Sequence, residues 1–150
     1  MSSWNDIDDI VRGSRVVHEK MLRNSEIRST AGTCLYASFV LRLSLEKFGG
    51  CTAVVRGGDG HGDGGALDSG GTLRGHYWVE GVTPDGVAFT ADITADQFGH
   101  EPVYFERAAL SRARYRPGCD ATVRVAVLDL VRSTELARDS DSVARPAQPA

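Results

Sequence analysis

The chain has 150 residues, of which 41% are apolar, so one compact domain with a sizeable core is expected. Its net charge of −3, without a basic block or an acidic tail, argues against nucleic acid as a partner. No apolar run approaches membrane-spanning length, and the polar first residues lack the apolar region of a signal peptide. The sequence therefore predicts a cytoplasmic protein with no membrane partner.

The first third of the chain predicts two helices. In residues 6–22 the apolar side chains that fall near one face are Ile7, Ile10, Val11, Val17 and Met21. Residues 34–48 are apolar on almost all sides, so this second helix is expected to be central. Its candidate N-caps are Ser29, Thr30 and Thr33, and Gly49 and Gly50 are expected to end it.

The rest of the chain predicts mostly strands. The expected elements are strands at 52–55, 76–82 and 87–93, a short apolar run at 103–105, a helix near 106–114 and a last strand at 123–131. Residues 1–134 would form a single domain, and the polar segment 135–150 would be a disordered tail. Helices followed by strands predict an α+β fold in which the second helix packs on an antiparallel sheet.

A glycine-rich segment, residues 57–71, separates the first strand from the others. It lacks the Gly-Lys-Ser/Thr of a phosphate-binding loop. Asp59, His61 and Asp63 alternate like metal ligands, but such a segment is more typical of a flexible loop, and no metal or other cofactor is predicted. We interpret residues 57–74 as a mobile lid that borders the candidate site.

The segment Thr83-Pro84-Asp85-Gly86 predicts a hairpin turn, because Pro presets the first central φ and Gly accepts the left-handed position. In that register Thr83 faces Val87, and paired residue numbers sum to 170. Trp78 then lies opposite Asp92, with His76 on the diagonal, about 7–8 Å away at the Cα atoms.

The same register sorts the two strands by polarity. One face carries only apolar side chains or aromatic rings: Tyr77, Val79, Val87, Phe89, Ala91 and Ile93. The opposite face carries His76, Trp78, Glu80, Thr90 and Asp92. A slip of one residue would destroy this sorting, so we expect His76 and Asp92 to share a face, with Glu80 in solvent.

Cys34 is expected at the first turn of the second helix. The positive end of the helix dipole and the unpaired amides there favour a thiolate, and the same amides could donate to an oxyanion. A thiol, an imidazole and a carboxylate are the parts of a cysteine hydrolase or acyltransferase. Alternatively, Cys34 is a core residue, as lone cysteines in apolar helices often are.

Several further residues are candidates for roles near the site. Asp96 could be the carboxylate that orients His76, but it lies after the end of the strand, so Asp92 is preferred. Gly32 would let a substrate backbone approach, and Thr33 and Trp78 are the other candidate substrate-binding residues, although Trp78 could simply pack. Gln97 is expected to be a cap or turn residue.

The two other cysteines, Cys51 and Cys119, lack a comparable context and are expected to be structural. An odd cysteine count without a signal peptide favours free thiols in a reducing compartment. No two cysteines have Cys-x-x-Cys spacing, so no structural zinc site is predicted.

Three segments resemble the core motifs of the transglutaminase-like, papain-fold superfamily. They are Gly32-Thr-Cys34-Leu-Tyr-Ala-Ser38, Gly75-His76-Tyr-Trp78-Val-Glu80 and Asp92-Ile-Thr94. Bacterial transglutaminase-like cysteine proteinases and the peptidase of lasso-peptide maturation look similar at these points. The resemblance implies a papain-like fold, with Cys34 as nucleophile, His76 as general base and acid, and Asp92 as the residue that orients the imidazole.

The chain departs from this family in two ways. Papain-like members often carry an oxyanion glutamine shortly before the cysteine, whereas the first glutamine here is Gln97. Asn24 or backbone amides would have to replace it. The chain is also short for an extended peptide groove. We therefore expect a cysteine peptidase or amidase that acts on a peptide or protein; a glutamine deamidase or transglutaminase and an inert papain-fold binding module are the alternatives.

Overall fold

The structure, a computed structural model, describes residues 3–26 and 32–144, and of residues 136–144 it describes the backbone alone. The elements in chain order are α1 Trp4–Asn24, α2 Cys34–Gly49, β1 Thr52–Gly58, β2 Gly65–Leu67, β3 Leu73–Arg74, β4 His76–Val82, β5 Ala88–Asp92, a 3-10 helix Ala95–Phe98, β6 Tyr104–Arg107, α3 Ala108–Ser111, β7 Tyr115–Arg116 and α4 Asp120–Ala144. The strands form two antiparallel sheets, in the orders β1-β4-β5-β6 and β3-β2-β7. The predicted α+β class with an antiparallel sheet is confirmed.

Helix α1 begins with a capping box. Ser3 Oγ accepts from the Asp6 amide at 3.2 Å, and Asp6 Oδ2 accepts from the Ser3 amide at 2.8 Å. Only part of the apolar face predicted for α1 is buried in the core. Ile7 and Val11 are buried in the core, whereas Val17 is 61% exposed. Val17 lines an apolar groove of about 440 Å³ between α1 and α2, together with Ile10 and Met21.

Helix α2 begins at Cys34 and ends before Gly50, which adopts a left-handed φ of 64°, as the glycine pair predicted. Two of the proposed N-caps, Ser29 and Thr30, lie outside the described residues. Thr33 occupies the N-cap position but makes no side-chain capping bond. Its hydroxyl instead lies 3.2 Å from His18 Nε2 on α1.

The main core lies between α1, α2 and one face of the four-stranded sheet. Its buried members are Ile7, Val11, Ala37, Leu41, Leu45, Cys51, Val79, Phe89, Ala91 and Ile93. The sheet members of this cluster belong to the face that the hairpin pattern predicted to be apolar. Burial of this face therefore fixes the sheet against α2.

The hairpin register is confirmed. Val79 pairs with Ala91, Glu80 with Thr90 and Val82 with Ala88, so paired numbers sum to 170. The Gly86 amide donates to the Thr83 carbonyl, and the Thr83 amide donates to the Val87 carbonyl, each at 2.9 Å.

The polar face of the hairpin does not face solvent. His76, Trp78, Glu80, Thr90 and Asp92 are all buried. The exposed position predicted for Glu80 is wrong, because its carboxylate pairs with Arg56 at 3.0 Å and with Arg112. The second sheet and α3 cover this side; Ala66 and Tyr115 pack on Trp78, and Ser111 bonds Thr90 at 2.7 Å.

The glycine-rich segment is an ordered part of this cover, so its prediction as a loop without regular elements is wrong. β1 extends to Gly58, and β2 and β3 follow within the segment. Asp59 Oδ1 accepts from the His61 and Asp63 amides at 2.7 and 3.1 Å. These glycines allow backbones to touch: a Cβ on Gly58 would lie 2.2 Å from Gly64 C.

The last predicted strand, 123–131, is also wrong, because these residues belong to α4. The alternating valines suggested a strand, but the less exposed positions have helical spacing: Val123, Ala126, Val127, Leu130 and Val131. The helix continues past Glu135 to Ala144, so the predicted tail boundary does not coincide with its end. Residues 145–150 lie outside the described residues. The predicted helix at 106–114 is reduced to α3, between β6 and β7.

Candidate active site

His76 and Asp92 form a buried pair across the hairpin. His76 is the first residue of β4 and Asp92 is the last of β5, and their side chains are 0% and 1% exposed. His76 Nε2 lies 2.8 Å from Asp92 Oδ2. Because an ionised carboxylate can only accept, Nε2 carries the proton and donates it, which leaves Nδ1 to act as base.

Asp92 is held by four donors. Its Oδ2 accepts from His76 Nε2 and from the Tyr115 hydroxyl, both at 2.8 Å. Its Oδ1 accepts from the Thr94 amide at 2.9 Å and the Thr94 hydroxyl at 3.3 Å. Burial, the largest influence, raises the pKa of Asp92, but His76 and these hydrogen bonds hold it below the ordinary value. Asp92 is therefore a charged, oriented partner for the imidazole.

Cys34 is a further neighbour of the imidazole. Burial, the largest influence, lowers the pKa of His76, but Asp92 and then the nearby Cys34 raise it to about 10. His76 Nδ1 is buried and meets no partner at hydrogen-bonding distance among the described residues. The thiol thus approaches the imidazole without closing a short hydrogen bond, as catalytic pairs often do without substrate.

The position of Cys34 follows from the packing of α2. Cys34 begins α2, His76 begins β4, and α2 packs along β4. Cys34 is partly accessible, whereas His76 behind it is not. The first amides of α2 have no acceptor within the helix, and they belong to the turn that carries the sulfur. The site thus combines a partly accessible thiol with a shielded imidazole.

The residues predicted to bind substrate have different surroundings. Gly32 is exposed, has a φ of 77°, and has open space where a Cβ would lie. Thr33 is partly buried and bonded to His18. Trp78 is fully buried and packs 5.1 Å from the Tyr115 ring. The prediction of Trp78 as a substrate contact is therefore corrected: it packs behind the site, because the second sheet covers it.

Asp96, the rival carboxylate, has a separate role. Arg15 from α1 donates to Asp96 Oδ1 and Oδ2 at 2.8 and 2.9 Å. The same guanidinium donates to the Ile93 carbonyl at 2.8 Å. This bidentate contact ties the segment after Asp92 to α1. Asp96 therefore supports the segment, and Asp92 is the carboxylate that contacts His76.

Three functional neighbours were missed by the sequence interpretation. Tyr115 comes from a two-residue strand and has no motif. Phe98 contacts the His76 ring edge-on, with centroids 4.8 Å apart. Arg15 is buried on α1, and no feature of the sequence singled it out. The Asp-x-Thr spacing of Asp92 and Thr94 was a readable signal, because Asp side chains often accept the amide two residues later.

The other two thiols differ from each other. Burial raises the pKa of the Cys51 thiol. Cys119 is exposed just before α4, and hydrogen bonds from the Thr122 side chain and amide and the Ala121 amide lower the pKa of its thiol. The expectation that Cys119 lacks a reactive context is corrected, because a helix N-terminus surrounds it. It must be replaced before the reactivity of Cys34 is measured.

Within the described residues, no group of three or more His, Cys, Asp or Glu side chains is arranged to hold a metal ion. In the same part of the chain, no helix combines the length and apolar character needed to cross a bilayer. Comparisons of the chain with protein-family models, with curated proteins and with solved structures gave no match.

Proposed function

We propose that the protein is a cysteine hydrolase that cleaves an amide or peptide bond through a thioester intermediate. One observation carries the proposal: the buried imidazole donates from Nε2 to Asp92, its Nδ1 has no hydrogen-bond partner among the described residues, and Cys34 lies near enough to the ring to raise its pKa. A thiolate–imidazolium pair requires such an imidazole, which donates to a carboxylate through one nitrogen and keeps the other for the thiol.

The reaction follows from these positions. The Cys34 thiolate attacks the carbonyl carbon, and an S–C bond forms. The C–N bond then breaks, and the proton on His76 Nδ1 passes to the leaving amine. Water attacks the thioester and gives a proton to Nδ1, and the S–C bond breaks, which releases the acid and restores the thiolate–imidazolium pair. The amides of the first turn of α2 are the proposed donors to the oxyanion, in place of a glutamine.

The fold assignment belongs to the same proposal. A Cys-bearing helix packed on an antiparallel sheet, with His and Asp on neighbouring strands, supports a papain-like or transglutaminase-like fold. The substrate would be a peptide or protein, and resolution of the thioester by an amine instead of water would give transglutamination. Deamidation of a glutamine side chain would be the same hydrolysis on a side-chain amide.

The test is alkylation by iodoacetamide at about pH 6 in a Cys119→Ser background, followed by peptide mapping. An ordinary thiol with a pKa of about 8.5 is only about 0.3% ionised at this pH. Cys34 in an ion pair should therefore react about a hundredfold faster than an unactivated thiol, and Cys51 should stay unlabelled until the protein is denatured. Slow labelling of Cys34 at the rate of a free thiol would refute an activated nucleophile and favour the inert binding module.

A further inference from the structure

Tyr115 is a buried residue that the mechanism above does not use. It is 1% exposed and lies in β7, in the second sheet. Its hydroxyl donates to Asp92 Oδ2 at 2.8 Å. That oxygen is the one that accepts from His76 Nε2, also at 2.8 Å. The phenol and the imidazole therefore share one acceptor atom.

The ring of Tyr115 is held on several sides. It lies 5.1 Å from the Trp78 ring and 5.0 Å from the Tyr104 ring, measured between centroids. The Arg114 guanidinium lies 5.9 Å from its centroid and 4.6 Å from that of Tyr104. Because these contacts fix the ring, the Tyr115 hydroxyl stays within reach of Asp92.

The glycine-rich segment provides the strand that holds Tyr115. Ala66 in β2 pairs with Tyr115, and Gly65 pairs with Arg116. A Cβ on Gly64 would lie 2.2 Å from the Arg116 carbonyl oxygen, and one on Gly65 would lie 2.3 Å from the Arg74 carbonyl oxygen. Only glycine permits these approaches, so the composition of the segment is explained by the close packing of this small sheet.

We propose that Tyr115 is a positioning residue, which donates to the Asp92 carboxylate and holds it against His76, and that the glycine-rich sheet serves to carry Tyr115 to this place. The role in catalysis rests on the function proposed above. The hydrogen bond itself can be tested without any substrate.

The expected consequence follows from the surroundings of Asp92. The groups that face the Asp92 carboxylate are His76 from β4, Tyr115 from β7, and the amide and hydroxyl of Thr94. Cys34 and Arg114 influence it indirectly, because Cys34 acts on His76 and Arg114 acts on Tyr115. A buried carboxylate that loses one of these donors holds its proton more tightly. Once Asp92 is neutral, the imidazole loses its charged partner and no longer supports the activation of Cys34.

The experiment compares Tyr115→Phe with Tyr104→Phe. Tyr104 pairs with Asp92 along the backbone of β6, but the phenol that bonds the Asp92 carboxylate is that of Tyr115. Two quantities are measured against pH in the Cys119→Ser background: the carbon-13 shift of the Asp92 carboxyl, and the alkylation rate of Cys34. In Tyr115→Phe the carboxyl midpoint should rise by about one pH unit or more, as expected for loss of one hydrogen bond to a buried charge. The acid limb of the alkylation profile should move in the same direction, and Tyr104→Phe should leave both curves unchanged.

A folded Tyr115→Phe variant with both curves unchanged would overturn the proposal. The carboxyl midpoint could rise in Tyr115→Phe even if Cys34 reacts like an ordinary thiol in the unmodified protein. This result would confirm the hydrogen bond and would overturn only the proposed function. If Tyr115→Phe does not fold, the hydroxyl proton of Tyr115 in the unmodified chain decides. A resonance that resists solvent exchange and moves as Asp92 titrates supports the role, whereas rapid exchange overturns it.

Discussion

The His76→Ala variant is expected to lose about two to three orders of magnitude in the alkylation rate of Cys34 at pH 6. Without the imidazole, the Cys34 sulfur has no neighbouring base to take its proton, so it should react at the rate of an unactivated thiol. Turnover of an amide substrate should fall by about 10²–10⁴, because the leaving amine also loses its proton donor. Cys34→Ala should abolish both reactions, since it removes the attacking atom.

The matched control for this variant is His61→Ala. His61 is exposed in the glycine-rich segment and only its backbone amide bonds Asp59. The rate at Cys34 should not change in this variant. The account would be contradicted if His76→Ala stayed folded and Cys34 still reacted at the unmodified rate, because the activation would then not come from the imidazole.

The Asp92→Ala variant is expected to lose stability as well as activity. It leaves the buried donors of His76, Tyr115 and Thr94 without an acceptor, and removing one partner of a buried pair costs about 3–5 kcal/mol of unfolding free energy. Per folded molecule, its activity should fall less than that of His76→Ala, because the imidazole remains but is poorly oriented. Urea denaturation and the alkylation rate of the folded fraction measure the two effects separately.

Asp96→Ala is the comparison that separates the two carboxylates. It breaks the contact with Arg15, so it should lower the unfolding free energy by about 2 kcal/mol. The folded fraction should keep most of its Cys34 reactivity, because Asp92 still holds His76. If Asp96→Ala were instead the variant with the larger loss per folded molecule, Asp92 could not be the residue that orients the imidazole.

The hairpin could be predicted from sequence because its information is local. Pro84 and Gly86 specify the turn, the turn fixes the register, and the register places His76 and Asp92 on one face. The C-terminal end of α2 could also be predicted, because Gly50 adopts the left-handed φ that favours glycine. In both cases a few neighbouring residues decide the conformation.

The features of the fold and the site that could not be predicted depend on contacts between residues that are far apart in the sequence. One of the residues that bond Asp92 is Tyr115, which is 23 positions away and belongs to a two-residue strand. The glycine-rich segment seemed flexible by composition, yet several of its glycines, among them Gly58, Gly64 and Gly65, lie in close contact with the backbone of other residues. The valines from Val123 onwards favour a strand by propensity, and packing of the Val123 side overrides this preference in α4.

The most direct test of the central claim is detection of the acyl-enzyme. The Cys119→Ser protein is mixed with an activated acyl ester, and intact mass and peptide mapping follow the adduct over time. The account predicts an acyl group on Cys34 that forms within the first turnover and is then lost to water, with no adduct in Cys34→Ala. The absence of any adduct on Cys34, or the same adduct in Cys34→Ala, would contradict it.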